Sequence, residues 1–284
     1  MNTIKITTLA VLLGSQTLFA NPASIGEGDA VMEKTGAVGS SNSAGDVAKK
    51  LANPVAAMIS VPFQLNYQQN YGPNDDGDKW TLNLQPVIPI ELNDDWNIIS
   101  RTILPVVSQD NLFPGSGSQN GIGDIVQSVW FSPKALTDNG WIWGVGPVFL
   151  IPTGSDVSAK KWGAGPTAVA LKQDGAWTYG GLANHIWSTG GSDTVVEDIS
   201  ATFLQPFVTY ITPEAVSFTL MTESTYDWEA EQWSVPIYGL VTKVGKIGNQ
   251  IISYGGGVNY WVESPQGGPE GWGARVVFTL IFPK

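Results

Sequence analysis

The sequence predicts an all-β chain, a transmembrane antiparallel β-barrel of about 12 strands with a short N-terminal periplasmic lead. Three observations predict it. Charged residues make up only 14% of the chain, where an average soluble domain has about 25%. No segment beyond residue 20 reaches the roughly 18 consecutive apolar residues that a membrane helix needs. From residue 55 onward, extended runs with a two-residue alternation are separated by turn-rich stretches. A closed barrel accommodates all three, because its strands show one face to lipid and the other to a lumen and leave no unpaired edge.

Taken in order, residues 1–20 read as an export signal: Lys5, the apolar ITTLAVLLG, then SQTLFA ending in the small Ala20. Cleavage after Ala20 is the expectation, although Leu18 is larger than usual at its position. The chain has no cysteine, which excludes a disulfide framework. Residues 21–53 are small, polar and glycine-rich, a flexible periplasmic lead or plug. Within it Ser43 can cap a short helix through Asp46, Lys49 and Leu51 that stops before Pro54. The barrel then occupies residues 54–284, with strands expected at 55–68, 80–91, 96–107, 122–132, 141–152, 163–172, 177–188, 198–211, 216–227, 233–244, 250–262 and 272–282.

The alternation assigns faces. In the second run Trp80, Leu82, Leu84, Ile88 and Ile90 share one face, opposite Thr81, Asn83 and Gln85. In the ninth, Phe218, Leu220 and Tyr226 oppose Ser217, Thr219, Glu223 and Thr225. In the eleventh, Ile252, Tyr254, Val258 and Tyr260 oppose Ser253, Gly255, Gly257 and Asn259. With the first strand running outward, the outer loops include QNYGPNDDGDK and SQDNLFPGSGSQNG, and the inner turns include NDD, QDGA and KIGN. Long outer loops and short inner turns are the pattern of an outer-membrane barrel. Of the twelve tryptophans, ten stand near strand ends, Trp261 among them, where aromatic girdles meet the lipid headgroups.

The segments LNDDWNIISRTILPV, GIGDIVQSVWFSPK, WGVGPVFLIPTG, KWGAGPTAVAL and TESTYDWEAEQWSVP resemble a bacterial outer-membrane transporter family. That family is related to outer-membrane proteins of the phenol-degradation MetA-pathway type. The likeness extends over most of residues 51–284 and implies a barrel distantly similar to fatty-acid and aromatic-hydrocarbon channels, whose N-terminal segment plugs the lumen. It implies no catalytic motif and no firm substrate. The final run, GWGARVVFTLIF, resembles the terminal strand read by the barrel-assembly machinery, although Pro283 and Lys284 follow its last aromatic, Phe282.

Functionally, these features lead to an expectation of passive uptake of small, in part hydrophobic or aromatic, molecules across the cell outer membrane. Alternatives are a closed structural or adhesive barrel, an outer-membrane lipid hydrolase, and a soluble secreted β-sandwich. Expected pore-lining residues are Asn83, Gln85, Arg101, Thr219, Glu223, Thr225, Asn259 and Arg275. An acidic outer mouth is expected from Asp75, Asp76, Asp78, Glu229 and Glu231, opposed by Lys79, Lys160 and Lys161 in the loops, and favouring cations. Arg101 and Glu223 are expected to face each other across an open lumen about 24 Å wide without touching. The lone histidine, in LANHIWS, cannot meet Ser188, since residues three apart on a strand point to opposite faces. Asp75, Asp76 and Asp78 lack a complete calcium-loop pattern, and the glycine runs lack the lysine and helix of a phosphate loop. No enzyme activity, cofactor or metal is expected. The net charge of −11 speaks against nucleic acid. Expected partners are outer-membrane lipids and lipopolysaccharide, the assembly machinery, and a small solute.

Overall fold

In the computed structural model the described residues are 44–51, 58–191 and 198–283. The expected export signal, the expected lead up to residue 43 and the beginning of the first expected strand lie outside them. Among the described residues one helix, α1 (Ala44–Leu51), precedes the sheet. The sheet comprises β1 (Met58–Tyr71), β2 (Gly77–Leu84), β3 (Val87–Glu91), β4 (Trp96–Asp110), β5 (Ser118–Ile122), β6 (Ile125–Pro133), β7 (Trp141–Ile151), β8 (Lys161–Asp174), β9 (Trp177–Gly191), β10 (Ser200–Ile211), β11 (Val216–Thr222), β12 (Ser224–Asp227), β13 (Gln232–Ile247), β14 (Gln250–Glu263) and β15 (Trp272–Pro283). Three wall strands are each broken once, into β2 and β3, β5 and β6, and β11 and β12. The fifteen segments therefore make twelve strands, all antiparallel to their neighbours. Sequence neighbours are sheet neighbours and β1 pairs with β15, which closes the ring.

Two of the breaks trace to proline. Pro86 follows Gln85 between β2 and β3, and a proline supplies no N–H to the ladder. In the ninth wall strand, β10 pairs Phe207 with Met221 and then Leu204 with Ser224, skipping the stretch that contains Pro206. On the other side β13 pairs Ile237 with Thr222 and then Ser234 with Thr225, passing over Val235 and Pro236. Two prolines thus flank Glu223 and release it from the ladder. Glycine–proline pairs act similarly in β7 and β8. Residues 146–147 are passed over in the pairing with β6, and residues 165–166 in the pairing with β9. A Cβ on Gly165 would stand 1.7 Å from the His185 carbonyl oxygen, so only glycine permits that approach.

Side chains alternate between lumen and lipid. In β1 Met58, Ser60, Pro62, Gln64, Asn66 and Gln68 are buried while their neighbours are partly exposed. Outward, Leu82, Val106, Phe149, Leu220 and Val258 form an exposed apolar band. Aromatic pairs border it at both ends: Tyr67–Trp80 and Tyr260–Trp272 at the outer end, Trp96–Trp143 and Trp177–Tyr210 at the inner. An apolar band between two aromatic girdles on a closed barrel is the surface of an outer-membrane protein.

Two sequence expectations need correction. Trp261 does not join the girdle: its indole turns inward and Nε1 donates to Gln68 Oε1 at 2.7 Å. It lies an even number of residues from Asn259, so the pleat carries both to the same face. The outer loops are also shorter than the sequence suggests. β1 runs on to Tyr71, β4 to Asp110, and β5 begins at Ser118, because polar residues there continue the ladder above the membrane. The second outer loop is reduced to residues 111–117.

Candidate functional site: the lumen

The inside of the ring is divided in character. From β4 to β10 its inward positions are mainly apolar, including Ile99, Ile103, Trp130, Leu150, Leu182 and Phe203. Around β1, β2, β14 and β15 they are rich in amides and charges: Gln64, Asn66, Asn83, Asn259 and Arg275. Apolar side chains of β4, β6 and β8 cluster with Met221, Tyr238 and Leu240 from the far wall, so packed residues occupy much of the lumen.

All eight residues expected to line the pore are buried on the inner side of the wall. The structure brings four of them into one polar network. Arg275 grips Glu223 with both ends of its guanidinium, Nη1 to Oε1 at 2.8 Å and Nη2 to Oε2 at 2.9 Å. The pair is fully buried, and the Arg275 guanidinium carbon lies 3.9 Å from the centre of the Tyr238 ring. From Arg275, Nε donates to Asn66 Oδ1, which also accepts from Gln64 Nε2. Gln85 Nε2 donates to Gln64 Oε1, and Arg101 Nη2 donates to Gln85 Oε1 at 2.9 Å. A continuous chain of hydrogen bonds, charge-assisted at its two arginine ends and amide-to-amide between them, thus runs from β4 to the break between β11 and β12.

This corrects the picture of Glu223 and Arg101 separated by open space. Glu223 is bound to Arg275 instead, three wall strands away. A quarter-turn chord of a circle about 24 Å across is about 17 Å, a span that a glutamate and an arginine reaching toward each other nearly cover. Thr219 hydrogen-bonds Thr209, Asn259 joins Gln68, and Asn83 and Thr225 are buried beside the network.

Both mouths are furnished. At the inner one, Val47, Ala48 and Leu51 of α1 pack against Met58, Val244 and Ile281, all inward-facing, and against Ala215 of the turn after β10. At the outer one, the buried Asp124 holds the loop 152–160 against the wall. Its carboxylate accepts from the backbone N–H of Thr153 and Ala159 and from the Ser158 hydroxyl. Ala159 joins the apolar cluster of β4, β6, β7, β9 and β10. A groove of about 690 Å³ along Ala168, Ala170, Gly181 and Ala183 lies on the lipid side of the wall, apart from the lumen.

The acidic residues do not form one site. Asp75, Asp76, Glu229 and Glu231 are exposed on two well-separated loops, and Asp78 faces outward opposite Asp110. Two of the lysines expected to oppose them in the loops are lumen residues: Lys79 belongs to β2, and Lys161 belongs to β8 and pairs with Asp198 at 2.8 Å. That hydrogen bond and the charge of Lys161, with the Ser188 hydroxyl, hold the Asp198 carboxyl below its ordinary pKa. His185 points to the lipid side, Nδ1 at 2.7 Å from Thr202 Oγ1 and its ring stacked on Trp187, while Ser188 reaches Asp198.

Sequence reasoning did not single out Gln64, Asn66 and Gln68. Their two-residue spacing in QLNYQ was the available signal. Nor did it place Lys79 inside the barrel, although Lys79 alternates with Trp80 on the same rule that assigns Asn83 and Gln85.

No family model matches the chain, and no characterised protein matches it by sequence. Among solved structures it is similar to the COG4313 outer membrane channel from Pseudomonas putida F1, at 14% identity and a TM-score of 0.63 over 80% of this chain and 96% of that one. The β domain of the Bordetella autotransporter BrkA aligns at 10% identity and a TM-score of 0.47, over 80% of this chain and all of that one.

Proposed function

We propose that the protein is an outer-membrane channel for passive uptake of small solutes with both a polar and an apolar face. The division of the lumen into an amide-and-charge arc and an apolar arc carries this reading. A solute passing between the arcs can hydrogen-bond on one side while its hydrocarbon body stays out of water on the other. Similarity in fold to an outer membrane channel supports the same reading. Phenol-type aromatics are the first solutes to try, given the sequence resemblance. Outer-membrane lipids and lipopolysaccharide surround the barrel in this reading, and the assembly machinery inserts it. Packed apolar side chains across the lumen, with α1 at the inner mouth, favour a second reading as a closed structural barrel.

One measurement establishes the assembled barrel and a second separates the two readings. Purified in mild detergent, the barrel is expected to migrate differently on a gel when unheated, because its closed ring of hydrogen bonds resists detergent. A band that never shifts, with an unfolded circular dichroism spectrum, counts against the assembled barrel. Deleting residues 22–50 removes most of α1 and should raise conductance in planar bilayers several-fold, since α1 covers inward-facing residues at one mouth. Conductance equal to the parent's, from a barrel that still shows the heat shift, would exclude a plugging role. A deleted barrel that remains silent supports the closed reading.

A further inference from the structure

The following rests on the channel function above and names its solute class. Lys79 follows Gly77 as the second inward position of β2 below the first outer loop, residues 72–76, and carries the first inward side chain there. It is only 5% exposed, so the lumen encloses it. Among the described residues it has neither an ion-pair nor a hydrogen-bond partner. The geometry explains why. Its register partners are Gln68 on β1 and Gln109 on β4, and both amides are engaged elsewhere. Gln68 Oε1 accepts from Trp261 and Asn259, and Gln109 donates to Gln119. The adjacent carboxylate, Asp78, lies on the outer face of the strand.

Among the described residues, the other buried charged groups each have an ion-pair or hydrogen-bond partner. Glu223 is consumed by Arg275, Lys161 is neutralised by Asp198, and Asp124 is saturated by its loop. Asp227 accepts from the N–H groups of Glu229 and Ala230. Arg101 is tied into the amide network. Lys79 is therefore an enclosed cation for which the described residues supply no counter-charge, an arrangement that costs stability unless something else meets it.

We propose that Lys79 is the entry contact for the carboxylate of a small organic monoacid, whose compact apolar body then rests on the arc from β4 to β10. A carboxylate matches an ammonium in charge and hydrogen-bond geometry. The upper apolar cluster starts at Ile103 on β4, the strand paired with the β2 strand that carries Lys79, and continues through Val148 and Leu150 round to β10. The acidic loops stand in bulk solvent, where physiological salt screens them over about 8 Å. The enclosed ammonium is shielded far less, so it and not the rim sets the charge preference.

The test uses the full chain reconstituted in liposomes and compares influx of benzoate with that of its neutral isostere benzamide, after subtraction of protein-free vesicles. Benzoate is expected to enter about ten-fold faster, the ratio that one charge-assisted hydrogen bond supplies. Lys79→Gln should bring the benzoate-to-benzamide influx ratio, both measured through that same variant, down to about one, and Lys79→Arg should keep the preference. Equal influx of the two solutes in the parent, or a preference that survives Lys79→Gln, overturns the assignment while benzamide influx upholds the channel. A preference for chloride as large as that for benzoate overturns the carboxylate class. If benzamide enters through neither the parent nor the chain lacking residues 22–50, the channel reading falls, and this inference falls with it.

Discussion

Glu223→Ala is expected to destabilise the barrel by about 3–5 kcal/mol, the cost of leaving a buried charge without its partner. Glu223 and Arg275 are both fully enclosed, with two parallel hydrogen bonds between them. Removing the carboxylate strands a guanidinium that remains bound to Asn66 and stacked on Tyr238 but loses its counter-charge. The midpoint of urea unfolding, followed by the heat-shifted gel band, measures the effect. The paired change Glu223→Leu with Arg275→Met should recover much of the loss, because an apolar pair carries no desolvation cost. Channel behaviour should not recover with it, since the polar chain across the lumen is then cut. A midpoint for Glu223→Ala equal to the parent's would show that the pair contributes nothing to holding the wall.

The second large effect is expected at Gly165. Any side chain there meets the His185 carbonyl oxygen, and backbone is the obstacle least able to yield. Overpacking of this kind costs about 1–3 kcal/mol. Gly165→Ala should reach the upper end of that range, and Gly165→Val should block assembly. Gly146 stands in the equivalent position on β7, where a Cβ would lie 2.0 Å from the Val129 carbonyl oxygen, and should respond alike. Gly154, in an outer loop, has nothing within 4 Å of its would-be Cβ, but its φ of +77° favours glycine. It therefore separates conformational strain from collision. If Gly165→Ala and Gly154→Ala unfold together with only a small loss, close strand approach is not what Gly165 provides.

Much of the architecture was legible in the sequence, because a barrel strand obeys a short-range rule. The pleat sends neighbouring residues to opposite faces, so Leu82 against Asn83 and Leu220 against Thr219 reveal two environments without knowledge of any partner strand. Turn residues punctuate the runs, so twelve strands and most of their inner limits followed from local pattern, while several outer limits lie three or four residues further on. The same rule put Asn83, Gln85, Arg101, Glu223 and Arg275 on the inner face.

The tertiary structure alone decided which inward groups meet. Glu223 reaches Arg275 because two prolines open the ladder around it and because the ring brings β15 within reach. Those are properties of register and curvature, which depend on strands far apart in sequence. Likewise, Lys79 is a surface lysine by composition and an enclosed, unmatched cation only once Gln68 and Gln109 have found other partners. Alternation determines where a side chain points. Closure of the ring determines what it finds there, since inward residues from all twelve strands compete for one narrow volume and only the assembled wall allots the partners.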